Sequence, residues 1–127
     1  MGYRSQVVLA ISKHLTPFLT LACSQEAEAQ ALVFKHHDTF DRNYDDDKSW
    51  LITWEGVKWY DSYPDVQAIE KFVQEACSDE YEFEDEEGNA QASSQHIKFV
   101  RVGEEDADIE SYGDGFWDIY DTTNICY

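Results

Sequence analysis

The sequence predicts an α+β fold in which one antiparallel sheet carries two helices packed on one face. Apolar, β-branched runs at 6–12 and 97–102 are typical of strands. Apolar residues in segment 64–77 recur at the three- and four-residue spacing of a helix. The chain has 127 residues, of which 43% are hydrophobic. This is enough for one folded unit with a core, so 1–127 is expected to form a single domain.

The first half of the chain contains a strand, a helical region and a polar segment. The run 6–12 is apolar throughout, which is typical of a central strand buried on both faces. Thr16-Pro17 predicts a helix start, because proline is favoured at the first helical position. Helical spacing continues to about residue 35, either as one long helix or as two short ones. Segment 36–49 is polar and rich in Asp, which predicts a loop.

An aromatic concentration follows in the middle of the chain. The runs 50–54 and 57–60 are aromatic and β-branched, and the Glu-Gly pair between them predicts a two-residue hairpin turn. Tryptophan is a common anchor of protein interfaces. Trp54 and Trp59 are therefore candidate interaction anchors on this Trp-rich hairpin.

The remaining elements complete the predicted sheet. Ser62 and Asp65 form a capping box in front of helix 64–77, whose residues expected to be buried are Val66, Ile69, Phe72 and Val73. Two acidic loops are expected at about 79–95 and 103–115, with a short edge strand at 81–84 and a helical turn at 108–111. A last strand is expected at 116–120. The resulting order is the ferredoxin-like βαββαβ order plus one or two extra strands, and the uncovered face of the sheet is expected to be solvated.

Charge is the most informative property of the composition. The chain holds 27 Asp and Glu against 9 Lys and Arg, so its formal net charge is −18. The last 49 residues contain 15 of these acids and only two cations, Lys98 and Arg101. Such a balance argues against direct binding to nucleic acid or to a membrane through a basic patch, and favours a partner with a basic surface.

The negative charge is comparable with that of DNA. Duplex DNA carries about one charge per 1.7 Å, so eighteen charges match roughly 30 Å of duplex. A domain of this length is about 36 Å across. Its carboxylates are therefore expected to pair with the Arg and Lys that hold phosphates in a nucleic-acid-binding protein. The residues expected to do this are Glu82, Glu84, Asp85, Glu86, Glu87, Glu104, Glu105, Asp106, Asp108 and Glu110.

Patterns for metal binding or catalysis are weak. His36, His37 and Asp38 form a close cluster, and imidazole with carboxylate suits transition-metal ions. The same residues also suit a polar loop after a helix C-terminus. Two acidic stretches begin like calcium loops but lack the required Gly and Glu, and no nucleophile motif is present. We therefore expect a non-enzymatic protein without cofactor or metal, with a metal-dependent enzyme as the third hypothesis.

Three segments resemble small acidic proteins of tailed phages and prophages. They are the opening MGYRS, VKWYDSYPDVQAI at 57–69 and FVRVGEEDADIE at 99–110. The resemblance implies a viral accessory protein that acts in the cytoplasm of a bacterial host. Phage proteins of this kind include inhibitors of restriction and CRISPR systems, some of which imitate DNA.

The leading hypothesis is a phage-derived inhibitor that binds a basic, nucleic-acid-binding site of a host protein. The alternative is an acidic interaction or assembly module anchored by the Trp-rich hairpin. The three cysteines show neither a C-x-x-C motif nor a zinc-binding spacing, which favours reduced thiols in the cytoplasm. The absence of a signal-peptide pattern and of a long apolar run agrees with that location.

Overall fold

The computed structural model describes residues 2–105, 107–115, 117, 119–121 and 125–126. The helices found within them are α1 (Thr16–Ser24), α2 (Ala27–Phe34) and α3 (Pro64–Cys77), with a short 3-10 turn at Ser93–His96. The strands found there are β1 (Ser5–Ile11), β2 (Thr39–Tyr44), β3 (Ser49–Val57), β4 (Glu82–Glu84), β5 (Ala90–Ala92), β6 (Ile97–Val102), β7 (Ile109–Tyr112), β8 (Tyr120–Asp121) and β9 (Ile125–Cys126).

Five of the strands form one antiparallel sheet with β1 at its centre. The strand order is β2-β3-β1-β6-β7. Leu9 of β1 pairs with Ile52 of β3 on one side and with Phe99 of β6 on the other. Strands β4 and β5 form a separate antiparallel pair, as do β8 and β9. The predicted α+β class with an antiparallel sheet is confirmed.

The side chains of β1 alternate between two cores. Val7, Leu9 and Ile11 pack with the buried faces of the three helices, whereas Val8 and Ala10 pack on the opposite face of the sheet. Successive side chains of a strand point to opposite faces. A strand covered on both faces is therefore apolar throughout, and the prediction of a buried central strand is confirmed.

Helix α3 has the predicted bounds, 64–77, and its four predicted core residues are all buried. The predicted capping box is absent, because the N-cap position is Tyr63 and Asp65 Oδ1 accepts only the neighbouring Val66 N–H at 2.8 Å. Pro64 occupies the first turn, where its fixed φ suits a helix start. Proline therefore marks this start without the side-chain cap.

The helical region before residue 35 contains two helices, so three helices lie in the layer instead of the predicted two. Glu26 has an extended backbone between them, and its carboxylate accepts the N–H of Glu28 at 3.3 Å. This N-cap starts a new helix, so the region forms two short helices and not one long helix. Within the described residues, no helix has both the length and the apolar character needed to cross a membrane.

The second face of the sheet is covered, contrary to the expected solvated face. Trp117, Ile119 and Ile125 are no more than 6% exposed and pack against Val8 and Ala10 of β1. The predicted last strand at 116–120 lies partly outside the described residues. The apolar residues near the C-terminus thus supply a third layer. The sequence analysis did not predict this layer, because the region is rich in acidic residues.

The predicted hairpin turn at Glu55-Gly56 is wrong. Strand β3 continues through both residues to Val57, which pairs with Ser5 of β1 across a register shift. Gly56 is not among the described glycines with positive φ. A two-residue hairpin turn requires positive φ at one or both positions, so this glycine lies in an irregular stretch of strand.

The hairpin lies one strand earlier, in the segment predicted to be a loop. Strands β2 and β3 are antiparallel neighbours, joined by a turn that contains Asp45 and Asp46. These residues have φ of 61° and 54°. Asp tolerates the left-handed region better than most residues. Consecutive aspartates therefore supply the turn chemistry that we assigned to Glu-Gly.

Candidate functional site

Strands β4 and β5, with the turn between them, form an acidic hairpin at residues 82–92. The predicted alternation at 81–84 is confirmed as a strand, but it pairs with β5 rather than at the edge of the main sheet. Tyr81 packs on Phe18 and Phe72 with ring centroids 4.6 and 5.6 Å apart. Phe83 stacks on His14 at 5.1 Å. These two aromatic side chains attach the hairpin to the body of the protein.

Asp85 organises the turn of this hairpin. Its Oδ1 accepts the N–H groups of Glu87 and Asn89, each at 2.9 Å, and its Oδ2 accepts an N–H of Gln91 at 3.1 Å. Donation by the backbone N–H groups of Asn89 and Glu87, led by that of Asn89, holds the pKa of Asp85 below its ordinary value. The carboxylate of Asp85 is thus engaged within the hairpin instead of being free for a partner.

The other carboxylates of the hairpin face solvent. Glu82, Glu84, Glu86 and Glu87 are exposed. Glu86 Oε1 lies 2.5 Å from Lys13 Nζ, an ion pair on the surface. Among the described residues, the hairpin therefore presents three exposed glutamates that form no ion pair and one that is paired with lysine. Exposure is what partner binding requires of these positions, and the predicted binding itself stays a prediction.

In the second acidic segment, after β6, two carboxylates form hydrogen bonds within the protein. Arg101 is only 8% exposed. Its guanidinium donates to Asp108 Oδ1 and to Glu110 Oε1, both at 2.8 Å, and to Ser5 Oγ at 3.1 Å. Tyr3 OH donates to the other oxygen of Asp108 at 2.5 Å. Two of the predicted partner-binding carboxylates therefore compensate a buried arginine.

The other acids of the second acidic segment include two that are exposed on the surface. Glu104 is exposed and accepts the N–H of Arg4 at 3.1 Å, and Glu105 is exposed. Asp106 lies outside the described residues. Residues 109–112 form β7 instead of continuing the predicted helical turn at 108–111. Five acids of this segment were predicted to bind a partner. Among the four that the structure describes, Glu104 and Glu105 are exposed.

Low pH should weaken the contribution of Asp108 to the stability of the fold. The hydrogen bonds from Arg101 and Tyr3 hold the pKa of Asp108 below its ordinary value of 3.8. Its stabilising effect is therefore complete above that value and is lost as the pH falls through the lower folded-state pKa. We expect Asp108→Asn to lower the melting temperature by about 3 °C at pH 7, with the difference shrinking below about pH 4.

Thermal melts of both proteins between pH 7 and pH 2 measure this effect. Glu105→Gln is the matched control, because it removes a nearby exposed carboxylate and should leave the melting temperature unchanged. A difference between Asp108→Asn and the original chain that stays constant down to pH 2 contradicts the assignment.

The two acidic segments lie at opposite ends of the sheet. The acidic hairpin contacts Lys13 and His14, which follow β1, whereas Glu105 and Asp108 contact Tyr3, which precedes it. The seven residues of β1 span about 20 Å. The nine described residues among the ten acids predicted to act together thus do not form one patch.

The sequence analysis did not predict that acids of the β2–β3 turn lie at the same end of the sheet as the acidic hairpin. Ile11, the last residue of β1, pairs with Trp50 of β3, so the β2–β3 turn lies beside the residues that follow β1. Asp45 and Asp46 in this turn are exposed. We call the acidic hairpin and the β2–β3 turn together the acidic end of the sheet. Consecutive aspartates suited to a hairpin turn were the signal for this placement.

Trp54 and Trp59 are core residues, which contradicts their role as surface anchors. They are 1% and 5% exposed. Trp54 Nε1 donates to the carbonyl of Leu32 at 3.1 Å, and Trp59 Nε1 donates to Glu70 Oε1 at 3.0 Å. Burial raises the pKa of Glu70. A partner cannot reach either indole ring while the protein is folded.

Within the predicted cluster of His36, His37 and Asp38, the side chains of His37 and Asp38 have separate structural roles. His37 Nδ1 lies 2.8 Å from the carbonyl of Val33 near the end of α2. Asp38 Oδ2 accepts the N–H of Glu55 at 2.7 Å. Across the described ranges, no group of three His, Cys, Asp or Glu side chains is arranged to hold a metal ion. The metal-site hypothesis for this cluster therefore has no support from the geometry.

Cys23 is unsuited to nucleophilic chemistry. Its side chain is buried at 1% exposure among the residues of the helix layer. Burial raises the pKa of the Cys23 thiol to about 11, so the reactive thiolate is scarce near neutral pH. Cys23 and Cys77 are both free thiols, and Cys23 acts as a packing residue.

Comparisons of the chain with protein-family models, with curated proteins and with solved structures find no match.

Proposed function

We propose that this protein binds a basic surface of a partner protein through the acidic end of its sheet. The observation that carries the proposal is the set of exposed glutamates on a hairpin whose position is held by two half-buried aromatic side chains packed against the core. Glu82 and Glu84 alternate with Tyr81 and Phe83, so the charged face is turned outward while the aromatic face is anchored.

The anchored hairpin suits binding because its shape exists before the partner arrives. Asp85 closes the turn with two backbone N–H groups, and Gly88 supplies the positive φ of 82° that the turn needs. Ordering a flexible loop on binding would cost affinity. Carboxylates carried on a preformed hairpin avoid the cost of ordering the loop and steer a cationic partner over long range.

The partner class follows from charge. A net charge of −18 on a small domain repels nucleic acid and attracts proteins that bind it. Together with the resemblance of three segments to phage proteins, this supports a non-enzymatic inhibitor that acts in the cytoplasm of a bacterial host. Its target is a protein that handles nucleic acid, of the restriction or CRISPR type, and the acidic end occupies the site of the phosphates.

We also propose a ferredoxin-like order for the unit formed by β1, the α1–α2 pair, β2, β3, α3 and β6. The support is the neighbouring order β2-β3-β1-β6 and the antiparallel pairing throughout the sheet. Strand β7 is then an added edge strand.

Charge reversal tests the proposed interface. Protein captured from bacterial lysate by the original chain is purified, and its affinity is measured for the chain and for a triple Glu82→Lys, Glu84→Lys, Glu87→Lys variant. We expect the variant to bind at least tenfold more weakly, a loss of about 1.4 kcal/mol. Added salt should slow association, and a short DNA duplex should compete for the partner.

The matched control reverses three exposed acids at the other end of the sheet, Asp61, Glu104 and Glu105. It makes the same change in net charge and should bind almost as tightly as the original chain. If both variants bind the partner equally weakly, the affinity depends on total charge and not on the acidic hairpin. Unchanged affinity in the hairpin variant, or failure of DNA to compete, contradicts the proposal.

A further inference from the structure

Two histidine rings lie between the end of β1 and the acidic hairpin. The ring of His14 stacks on Phe83 of β4 with centroids 5.1 Å apart, and the ring of His96 meets Phe83 at 4.9 Å with its plane turned by 80°. The two imidazole rings are 5.6 Å apart. We call these three rings the histidine contact. It joins the turn after β1, the acidic hairpin and the 3-10 turn before β6, so it is one of the attachments of the hairpin.

A chain of hydrogen bonds fixes the proton of the His96 ring. Asp85 Oδ2 accepts a side-chain N–H of Gln91, whose Oε1 lies 3.1 Å from His96 Nε2. Because an amide oxygen only accepts, His96 carries its proton on Nε2. Nδ1 of the neutral ring is then an acceptor, and Ser12 Oγ lies 2.9 Å from it. The chain of bonds from Ser12 to the hairpin turn therefore requires a neutral His96.

A second proton on His96 disturbs this arrangement. A proton on Nδ1 would face Ser12 Oγ, so the hydroxyl would have to turn its own proton away from the ring. Ser12 is only 5% exposed, and a buried donor without an acceptor is unfavourable. A charged His96 would also repel a charged His14. Burial, with a smaller effect of the His14 charge, lowers the pKa of His96 from its ordinary value of 6.5.

Charged side chains from five parts of the chain surround the two histidines. They are Lys13 beside His14, Asp85 and Glu86 of the acidic hairpin, Asp46, Asp47 and Lys48 of the β2–β3 turn, and Asp79 and Asp114, which are hydrogen-bonded with the backbone of Ser94. The acids outnumber the lysines, and the face of an aromatic ring attracts a cation. A proton on His14, stacked on Phe83, is therefore tolerated, and we assign the sensitivity to acid to His96.

We propose that the histidine contact is an acid-sensitive latch, which holds the acidic hairpin in place at neutral pH and loosens it as the pH falls below about 6. The attached hairpin takes up a proton at His96 less readily than the released hairpin does. Attachment is therefore strongest above pH 6.5 and weakens as the pH falls below that value. The latch is a property of this chain alone, so it goes beyond the proposed function and does not depend on a partner.

Carboxylates of the hairpin do not account for a change in this pH range. Hydrogen bonds from the backbone N–H groups of Asn89 and Glu87 lower the pKa of Asp85 from 3.8, and the ion pair with Lys13 lowers the pKa of Glu86 from 4.5. Both groups stay ionised down to pH 5. A comparison of pH 7.5 with pH 5 therefore isolates the effect of the histidines.

Hydrogen exchange of the backbone amides, followed by NMR at pH 7.5 and pH 5, tests the latch on the chain alone. After correction for intrinsic exchange rates, the protection of β4 and β5 relative to that of α3 should fall at pH 5, by about threefold to thirtyfold. The upper limit arises because a released histidine with a pKa of about 6.5 is about thirty times more often protonated than neutral at pH 5. Unchanged relative protection of the hairpin overturns the latch.

His96→Gln removes the titrating group and keeps an N–H donor at this position. Its hairpin should have the same relative protection at both pH values. His36→Gln is the matched control, because His36 is an exposed histidine after α2, and this variant should keep the full response to acid. An equal response to acid in His96→Gln and in the original chain overturns the latch.

A titration of the imidazole C–H resonances in the original chain needs no substitution, so it decides the question even if His96→Gln folds poorly. His96 should titrate below pH 6.5, and the amide shifts of β4 and β5 should follow the same curve. Titration of His96 at or above pH 6.5, or hairpin shifts that follow the curve of His36 instead, would overturn the latch.

Discussion

Trp54→Ala is expected to lower the free energy of unfolding by about 4 kcal/mol, because it removes a large side chain from a packed core. The indole is 1% exposed and its centroid lies 5.5 Å from that of Trp59. Its Nε1 also donates to the carbonyl of Leu32, which connects β3 with α2. The substitution thus leaves a cavity and an unsatisfied carbonyl between sheet and helix. Urea denaturation measures the change.

Trp54→Phe is the matched variant, because it keeps most of the buried ring and removes only the N–H donor. Its cost should be about 1 to 2 kcal/mol. This pair also decides the assembly-module hypothesis. A Trp54→Ala protein that unfolds like the original chain but loses a partner would restore Trp54 as an interface residue and contradict its place in the core.

Arg101→Ala should be almost as disruptive, with a loss of about 3 kcal/mol. The guanidinium is buried and donates to two carboxylates and to Ser5 Oγ. The charge and hydrogen bonds of Asp108 and Glu110 raise the pKa of Arg101, so it stays cationic. Without it, these carboxylates face each other with no counter-charge, and Glu70 adds a third carboxylate nearby.

A compensating variant separates this charge effect from lost packing. The triple variant Arg101→Met, Asp108→Asn, Glu110→Gln removes the uncompensated carboxylates together with the arginine. It should recover at least half of the lost stability in urea denaturation. Lys98→Ala on the same strand is the control and should cost less than about 1 kcal/mol. A loss below 1 kcal/mol for Arg101→Ala would place the network among weak surface ion pairs.

Several elements were predictable because their signals are local. The spacing of apolar residues in 64–77 depends on helix geometry alone, and the bounds of α3 agree with it. The apolar runs at 6–12 and 97–102 similarly predicted central strands. The hairpin turn was predicted at Glu-Gly, whereas the observed turn contains consecutive aspartates, which tolerate positive φ, within the segment predicted to be a loop.

The candidate site was predictable only in part. Exposure of Glu82, Glu84 and Glu87 follows from a local alternation with Tyr81 and Phe83. Their separation from Asp108 and Glu110 does not, because it depends on the strand order of the whole sheet. Nothing in the composition distinguishes a carboxylate that compensates a buried arginine from one that faces solvent, since both are simply acidic positions after β6.

The amino-acid sequence by itself determined the α+β class, the central strand, helix α3 and the strongly negative charge, because each depends on residues close together in the chain or on a sum over them. The tertiary structure alone decided which acids share one end of the sheet, that Trp54 is buried, and that Asp108 and Glu110 pair with the buried Arg101. These features arise from pairing between strands distant in sequence. One register shift would turn each side chain to the other face, so local patterns do not specify them.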